Sequence, residues 1–266
     1  MKQFSARILS NQNVAQDYYE MRFTWPSEVD GPVPGQFVSA RSFGTSDLIL
    51  RRPFAVSAFD PERSVAAIIY QKRGKATNML AAKSASETVD LIGPLGNAFP
   101  VSEGVRPLLV GGGVGLGPIL FFGNWLTERG APPTVLLGFR TKNYVPSFLA
   151  DRKRVGFDPV VCTDDGSHGY HGTTLDWLTG PASERIGGFG DCSVYTCGPN
   201  AMMAGCSLFC SRHQIPCWVS MEQIMGCGVG ACIGCAIPVK GEAPFARVCT
   251  EGPVFEGSQI QWEKMR

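Results

Sequence analysis

The sequence predicts a β-barrel followed by an α/β domain with a parallel sheet, and a small cysteine-rich segment at the C-terminal end. Three observations carry this reading. Apolar residues up to residue 102 alternate with polar ones in short runs broken by Gly, Pro and Asp, the period-two signature of half-buried antiparallel strands. Over 103–220, longer apolar runs are followed by loops and helical stretches, which argues for a parallel sheet with crossover helices. From 221 to 266 the periodicity fades and glycine and cysteine dominate.

In Asp17–Thr24, Tyr19, Met21 and Phe23 alternate with Glu20, Arg22 and Thr24. Strand-like runs follow at Gln36–Phe43, Leu50–Phe59, Val65–Lys72 and Thr88–Ile92, a spacing that suits a small barrel, with one short helix at Thr77–Lys83. In the second region Pro107–Val110, Val135–Phe139, Pro159–Cys162 and Ser193–Cys197 read as strands, and Cys217–Ser220 as the strand that closes the sheet. After Cys197, residues Met202, Cys206, Phe209 and His213 fall at helical spacing and are expected to form one buried stripe.

Composition excludes several classes. The chain has 266 residues, 44% hydrophobic and 18% charged, with a net charge of +1. It can bury a full core, and it offers no electrostatic case for nucleic acid or an anionic membrane. Met1–Arg7 has no apolar signal region, so a cytoplasmic protein with reduced cysteines is expected. Pro107–Thr127 carries no charge, but its six glycines and two prolines suit buried strand, loop and helix better than a membrane span.

Cys227, Cys232 and Cys235 are spaced C-x4-C-x2-C, and Cys249 follows after thirteen intervening residues. This is the plant-type spacing for a [2Fe–2S] cluster. Gly226, Gly228, Gly230 and Gly234 permit the backbone angles a tight wrap requires, and their N–H groups can point at sulfur. A four-cysteine zinc site is the competing reading, but zinc usually takes two short-spaced pairs and only one is present. The other cysteines in strand and helix patterns, Cys162, Cys192, Cys206, Cys210 and Cys217, read as small apolar residues.

Gly111-Gly112-Gly113-Val114-Gly115-Leu116-Gly117-Pro118 follows an apolar strand and leads into a helix. Backbone N–H groups of such a loop can meet a pyrophosphate, and Pro118 is tolerated in the first helical turn. A purely structural turn is the alternative; its place at the first strand of the alternating domain favours a nucleotide. Cys197-Gly198-Pro199 is a turn at the same carboxyl edge, which makes Cys197 the candidate catalytic residue.

Further segments stand in a set order: Arg51-Arg52-Pro53-Phe54, Gly74-Lys75-Ala76-Thr77, Gly93-Pro94-Leu95-Gly96-Asn97-Ala98-Phe99, Asp164-Asp165-Gly166-Ser167 and Cys249-Thr250-Glu251-Gly252-Pro253-Val254-Phe255. With the cysteine spacing and the glycine loop, they resemble the ferredoxin-reductase superfamily over essentially the whole chain. More closely they resemble its electron-transfer subunits of type B dihydroorotate dehydrogenases. The resemblance implies an FAD-binding barrel over 1–102, an NAD-binding domain over 103–220 and a [2Fe–2S] segment over 221–266. It implies FAD contacts from Arg52, Pro53, Phe54, Ala55, Ile69, Tyr70, Gln71, Gly74, Ala76 and Thr77. NAD contacts fall to Gly112, Gly113, Gly115, Pro118, Gly198 and Pro199, and cluster ligation to Cys227, Cys232, Cys235 and Cys249. Ala55 stands where the family usually has Ser, and Ala76 where it has Gly. The implied partner is an FMN-containing dihydroorotate dehydrogenase subunit in a two-plus-two heterotetramer. Electrons would pass from it through cluster and FAD to NAD+, within pyrimidine (UMP) biosynthesis.

Arg152-Lys153-Arg154 reads as a solvated helix end, His168 and His171 as loop residues, and His213 as a core or helix-terminal residue. Arg140 leaves NAD versus NADP open. The rival readings are the small subunit of a sulfide dehydrogenase or NADH-dependent ferredoxin:NADP+ oxidoreductase, an oxygenase reductase, and a zinc-stabilised nucleotide-binding module.

Overall fold

The computed structural model describes residues 1–41, 48–102, 104–180, 184 and 187–265. Strands β1 (Lys2–Ala15), β2 (Tyr18–Thr24), β3 (Phe37–Arg41), β4 (Arg52–Asp60) and β5 (Val65–Gln71), helix α1 (Lys75–Ala81) and strand β6 (Thr88–Leu95) form the first unit. The strands close an antiparallel barrel in the order β1-β2-β5-β4-β3-β6. Met21, Phe23, Val38, Val56, Ile68 and Leu91 fill it, and Leu80 of α1 packs into the same core. The run expected over Gln36–Phe43 is β3; its end at Phe43 lies outside the described residues.

Strand β1 is the longest and the one that periodicity does not announce. Of its 14 residues only Ala6 and Ile8 are buried. Lys2–Arg7 pair with β6, and Ile8–Ala15 pair with β2 across two register shifts. A strand that bends from one side of a barrel to the other turns different faces inward along its length, so no single alternation survives.

The second unit contains β7 (Arg106–Gly112), α2 (Leu116–Glu128), β8 (Thr134–Phe139), α3 (Arg152–Val155), β9 (Val160–Thr163) and β10 (Tyr170–His171). It continues with α4 (Thr174–Thr179), β11 (Cys192–Cys197), α5 (Asn200–His213) and β12 (Cys217–Ser220). Every residue of β11 is buried, as a parallel strand covered on both faces requires. The uncharged stretch at 107–127 is strand, glycine turn and helix. Among the described residues no helix is long and apolar enough to cross a membrane.

Two expectations are corrected, the end of the parallel sheet and the inward face of α5. The sheet does not end at β12: β15 (Val254–Glu256) adds an antiparallel edge, giving the order β10-β9-β8-β7-β11-β12-β15. The cysteine-rich tail, which also holds the hairpin β13 (Ala236–Pro238) and β14 (Phe245–Arg247), buries Cys235, Ile237, Val248 and Cys249 in the core of the parallel-sheet unit. On α5 the buried face is Met203, Cys206, Phe209 and Cys210; Met202 is half-buried and His213 exposed. The helix presents a face rotated from the expected one, because Met203 and Cys210 point at the sheet while the last turn runs past it. Arg152 and Arg154 are exposed on α3, as the sequence suggested, and Arg154 Nη2 also bonds both carboxylate oxygens of Glu20, at 2.8 and 2.7 Å, tying α3 to the barrel.

The two units meet along α2. A Cβ built on Gly117 would lie 3.3 Å from Cβ of Ser57 in β4 and 3.7 Å from that of Ile69 in β5. The glycine turn is thereby set directly against the barrel strands that carry the Arg-Pro segment.

Candidate functional site

On the barrel side, Arg52, Pro53, Phe54 and Ala55 lie half-buried along β4, opposite Ala40, Ser39, Val38 and Phe37 of β3. The two arginines differ. Arg51 is held by Asp90 at 2.6 Å and by the Ser39 and Asp90 carbonyls. Arg52 donates to the carbonyls of Leu50 and Arg51 and meets no carboxylate among the described residues. Its charge is therefore available to an anion. Ile69 faces α2, whereas the Tyr70 ring turns into the barrel, bonds Asn11 Oδ1 at 2.9 Å and packs edge-on against Phe54. Burial pushes its phenol pKa up, the Asn11 bond offsetting part of the rise. Tyr70 can thus meet a ligand only through its backbone.

Gly74 caps α1 in extended backbone, with open space where a side chain would stand. The Thr77 hydroxyl accepts from the N–H groups of Arg73 and Gly74, at 2.8 and 3.1 Å, and shapes the turn beside buried Ala76.

On the sheet side, the glycine turn and the Cys197-Gly198-Pro199 turn leave adjacent strands in register, Gly111 opposite Cys197. A Cβ on Gly115 would collide with the Cys197 carbonyl oxygen, and one on Gly112 would come within 3.0 Å of Pro199 Cδ. The two turns can abut only because Gly115 has no side chain. Pro118 is buried in the first turn of α2. The Cys197 thiol is pushed up to about 12 by burial and by the charge of Glu222, with a Ser220 hydrogen bond opposing. Cys197 is thus a neutral thiol at physiological pH and not a thiolate nucleophile.

In the tail, the four cysteines stand as two pairs. Cys227 Sγ accepts from the N–H groups of Val229 and Cys232, at 3.4 and 3.3 Å. Burial pushes Cys227 up, but these donors and those of Ala231 and the Cys232 thiol outweigh it and bring it down to about 6. Cys235 and Cys249 are buried and bonded thiol to thiol. Among the described residues, no three His, Cys, Asp or Glu side chains converge on one ion position. Two cysteine pairs are what a two-iron centre takes, one pair to each iron, and the N–H groups aimed at sulfur suit thiolate ligands. All ten cysteines are free of disulfides. The donor set therefore fits the cluster.

Two contacts relate these parts. A Cβ on Gly228, within the cysteine loop, would lie 3.4 Å from Ser39 Oγ, and Ser39 pairs with Pro53. The Gly93–Phe99 segment grips the tail: Asn97 bonds Glu251, Gly252 and Val254.

Sequence reasoning missed three residues here. Ser57 is 4% exposed and its hydroxyl has no hydrogen-bond partner; it is an orphaned group where barrel and α2 meet. Glu222 is exposed, yet crowding by neighbouring protein atoms raises its carboxyl, with Arg73 offsetting part of the rise. Tyr18 brings its hydroxyl to Gly113. Only Ser57 had a sequence signal, its place in the run from Arg52.

Comparison with known proteins yields a consistent set. The family model for the iron-sulfur cluster binding domain of dihydroorotate dehydrogenase B matches residues 222–261. The chain is 37% identical over 258 residues to the dihydroorotate dehydrogenase B (NAD(+)) electron transfer subunit of Bacillus caldolyticus, covering 95% of this chain and 96% of that one. It is 35% identical to the same subunit of Desulforamulus reducens, covering 98% and 99%. Among solved structures, an NADH-dependent reduced ferredoxin–NADP oxidoreductase superposes with a TM-score of 0.83 at 30% identity, over 97% of this chain and 90% of that one. The Amycolatopsis cytochrome P450 reductase GcoB, at 24% identity and a TM-score of 0.65 over 79% of this chain and 66% of that one, shares the fold.

Proposed function

Because the chain belongs to the family of dihydroorotate dehydrogenase B (NAD(+)) electron transfer subunits, we propose that it carries electrons from a partner dihydroorotate dehydrogenase to NAD+ by way of a [2Fe–2S] cluster and FAD. It does so as part of pyrimidine (UMP) biosynthesis. It is an oxidoreductase subunit that works with a separate catalytic subunit. The observation that carries this reading is the approach of Gly228 to Ser39, where an added Cβ would lie 3.4 Å from Oγ, since it sets the cysteine loop beside the strand pair that includes Pro53.

When bound, FAD exchanges a hydride with nicotinamide and single electrons with the cluster, which is why it stands between them. The chain supplies binding and orientation. Arg52 holds the flavin diphosphate, and Pro53, Phe54 and Ala55 line the ring. Ile69, Tyr70 and Gln71 contribute an edge through backbone groups, and Gly74, Ala76 and Thr77 close on the phosphates. Gly112, Gly113, Gly115 and Pro118 receive the NAD pyrophosphate, with Gly198 and Pro199 beside it. Cys197 presents its neutral thiol to the nicotinamide. Cys227, Cys232, Cys235 and Cys249 hold the cluster. The units divide as 1–102, 103–220 and 221–266, the protein works in the cytoplasm, and two copies join two FMN-containing partner subunits.

Anaerobic titration with NADH tests the reading: both flavin and cluster absorbance are expected to bleach, and a colourless, iron-free preparation overturns it. The structural likeness to an NADH-dependent ferredoxin–NADP oxidoreductase favours, as a second reading, its small subunit. The two separate on co-purification: a partner that oxidises dihydroorotate supports the first, and a larger glutamate-synthase-like flavoprotein supports the second.

A further inference from the structure

Arg247 bears on all three chain segments carrying the four cysteines, by its side chain or its backbone. Its Nη1 donates to the Gly230 carbonyl at 2.9 Å, in the loop between Cys227 and Cys232. In strand register it stands opposite Ala236, the residue after Cys235, and the neighbouring Val248 N–H donates to the Cys235 carbonyl at 3.1 Å. Cys249 lies two residues further on. Gly230 itself is in the left-handed region, at φ +82°, with Thr250 Cγ2 2.7 Å from where a Cβ would stand. The loop is therefore pressed against the turn just after Cys249, and the guanidinium fastens it to β14.

Arg247 does not stand alone. Glu251 holds it by three bonds: the backbone N–H at 2.6 Å, Nε at 3.0 Å and Nη2 at 2.6 Å. The hydroxyl of Thr250 donates to the same carboxylate at 2.9 Å. An arginine with a planar fork locked in this way keeps both its position and its charge.

We propose that Arg247 and Glu251 form a positioning pair that sets the reduction potential of the cluster, Arg247 by favouring the reduced state and Glu251 by opposing it. The inference rests on the reading of the four cysteines as cluster ligands. Its physical content is a sign. Reduction adds one electron and no proton, so the site gains a negative charge, which a fixed cation stabilises and a fixed anion destabilises. The paired groups largely cancel in the native chain, and removal of either exposes the other. A purely structural clamp predicts something else: loss of either partner loosens the same loop and moves both variants in the same direction.

The test is an anaerobic spectroelectrochemical titration of the cluster-loaded protein, with the reduced centre followed by electron paramagnetic resonance and iron counted in parallel. R247Q is expected to lower the cluster's midpoint potential, so that at the native midpoint the reduced-to-oxidised ratio falls by roughly threefold to tenfold, allowing for the partial exposure of both side chains. E251Q is expected to raise the midpoint by a similar ratio, and the double variant to return close to the native value. R247K keeps the charge and is expected to stay near the native midpoint while losing iron to a chelator faster, because a lysine cannot reproduce the fork. Shifts of the two single variants in the same direction, or no shift in either, overturn the proposal. Should R247Q fail to retain iron, R247K and E251Q decide alone: a lowered midpoint in R247K, or an unraised one in E251Q, overturns it equally. A native protein without iron would instead sink the cluster assignment itself, and its outcome is read before any variant is compared.

Discussion

Asn97 holds Val254 from both sides, its amide nitrogen donating to the Val254 carbonyl at 3.0 Å and its amide oxygen accepting from the Val254 N–H at 2.9 Å. One side chain from the barrel thus acts as a strand partner for the first residue of β15, five residues beyond Cys249. The lock fastens the segment after β6 to the tail that carries the cysteines.

Asn97→Ala is therefore expected to do more than a surface truncation. It leaves the Val254 N–H and carbonyl without their partner, at a cost of about 1–3 kcal/mol. Urea denaturation measures the loss, and iron content after gel filtration should fall with it. An unchanged midpoint together with full iron would contradict the lock.

Gly115→Ala drives a methyl group into the Cys197 carbonyl. Relief requires the two turns to part, an overpacking cost of about 1–3 kcal/mol. NADH-driven reduction of ferricyanide is expected to drop at least tenfold, while the flavin and cluster absorbance of the purified protein persist. Loss of flavin from this variant would mean that the turn serves the wrong nucleotide.

Arg52→Gln removes the guanidinium that meets no carboxylate among the described residues. A charge-assisted contact to a phosphate is worth about 1.5–3 kcal/mol, so FAD should bind roughly tenfold to a hundredfold more weakly. Flavin fluorescence on dilution reads this directly. Arg51→Gln serves as the contrast: it breaks the ion pair with Asp90 and is expected to lower stability before it lowers flavin affinity.

Burial also predicts a pH dependence. The thiols of Cys162, Cys197 and Cys206 are each pushed up to about 12 by desolvation. Unfolded cysteines ionise near pH 8.5, so between about 8.5 and 12 the folded chain holds more protons than the unfolded one. Stability is fully present below this window and falls as pH rises through it. Urea midpoints that decline from pH 8 to pH 10 fit; midpoints that rise do not.

Cys197→Ala tests the neutral thiol. With no thiolate to lose, the variant's pH–rate profile with NADH should keep the native shape between pH 6 and 9, with the rate reduced throughout. A native profile that climbs with an apparent pKa near 8, and flattens in the variant, would assign the thiolate a role that its burial denies it.

The spacing of Cys227, Cys232, Cys235 and Cys249, the alternation in β2 and the glycine-rich turn after β7 were all legible along the chain. Each is a local property, in which a few neighbouring residues must satisfy one period or one turn. The barrel and the parallel sheet follow from such periods because strand and helix faces must be buried whatever lies opposite. What opposes them is another matter. Strand β1 bends across two partners and keeps its alternation only as far as Leu9, β15 is three residues long, and the face that α5 turns inward depends on where the sheet ends.

The amino-acid order by itself determined the element types and the set of sulfur donors. Only the tertiary structure decided that Asn97 holds Val254, that Glu20 receives Arg154, that the charge of Glu222 bears on Cys197, and that Arg247 fastens the Gly230 loop. Backbone preferences and burial act over a few residues and leave their mark in composition. The meeting of groups from separate elements, 17 residues apart for Arg247 and Gly230 and 157 apart for Asn97 and Val254, depends on how those elements are stacked, and no period in the sequence records it.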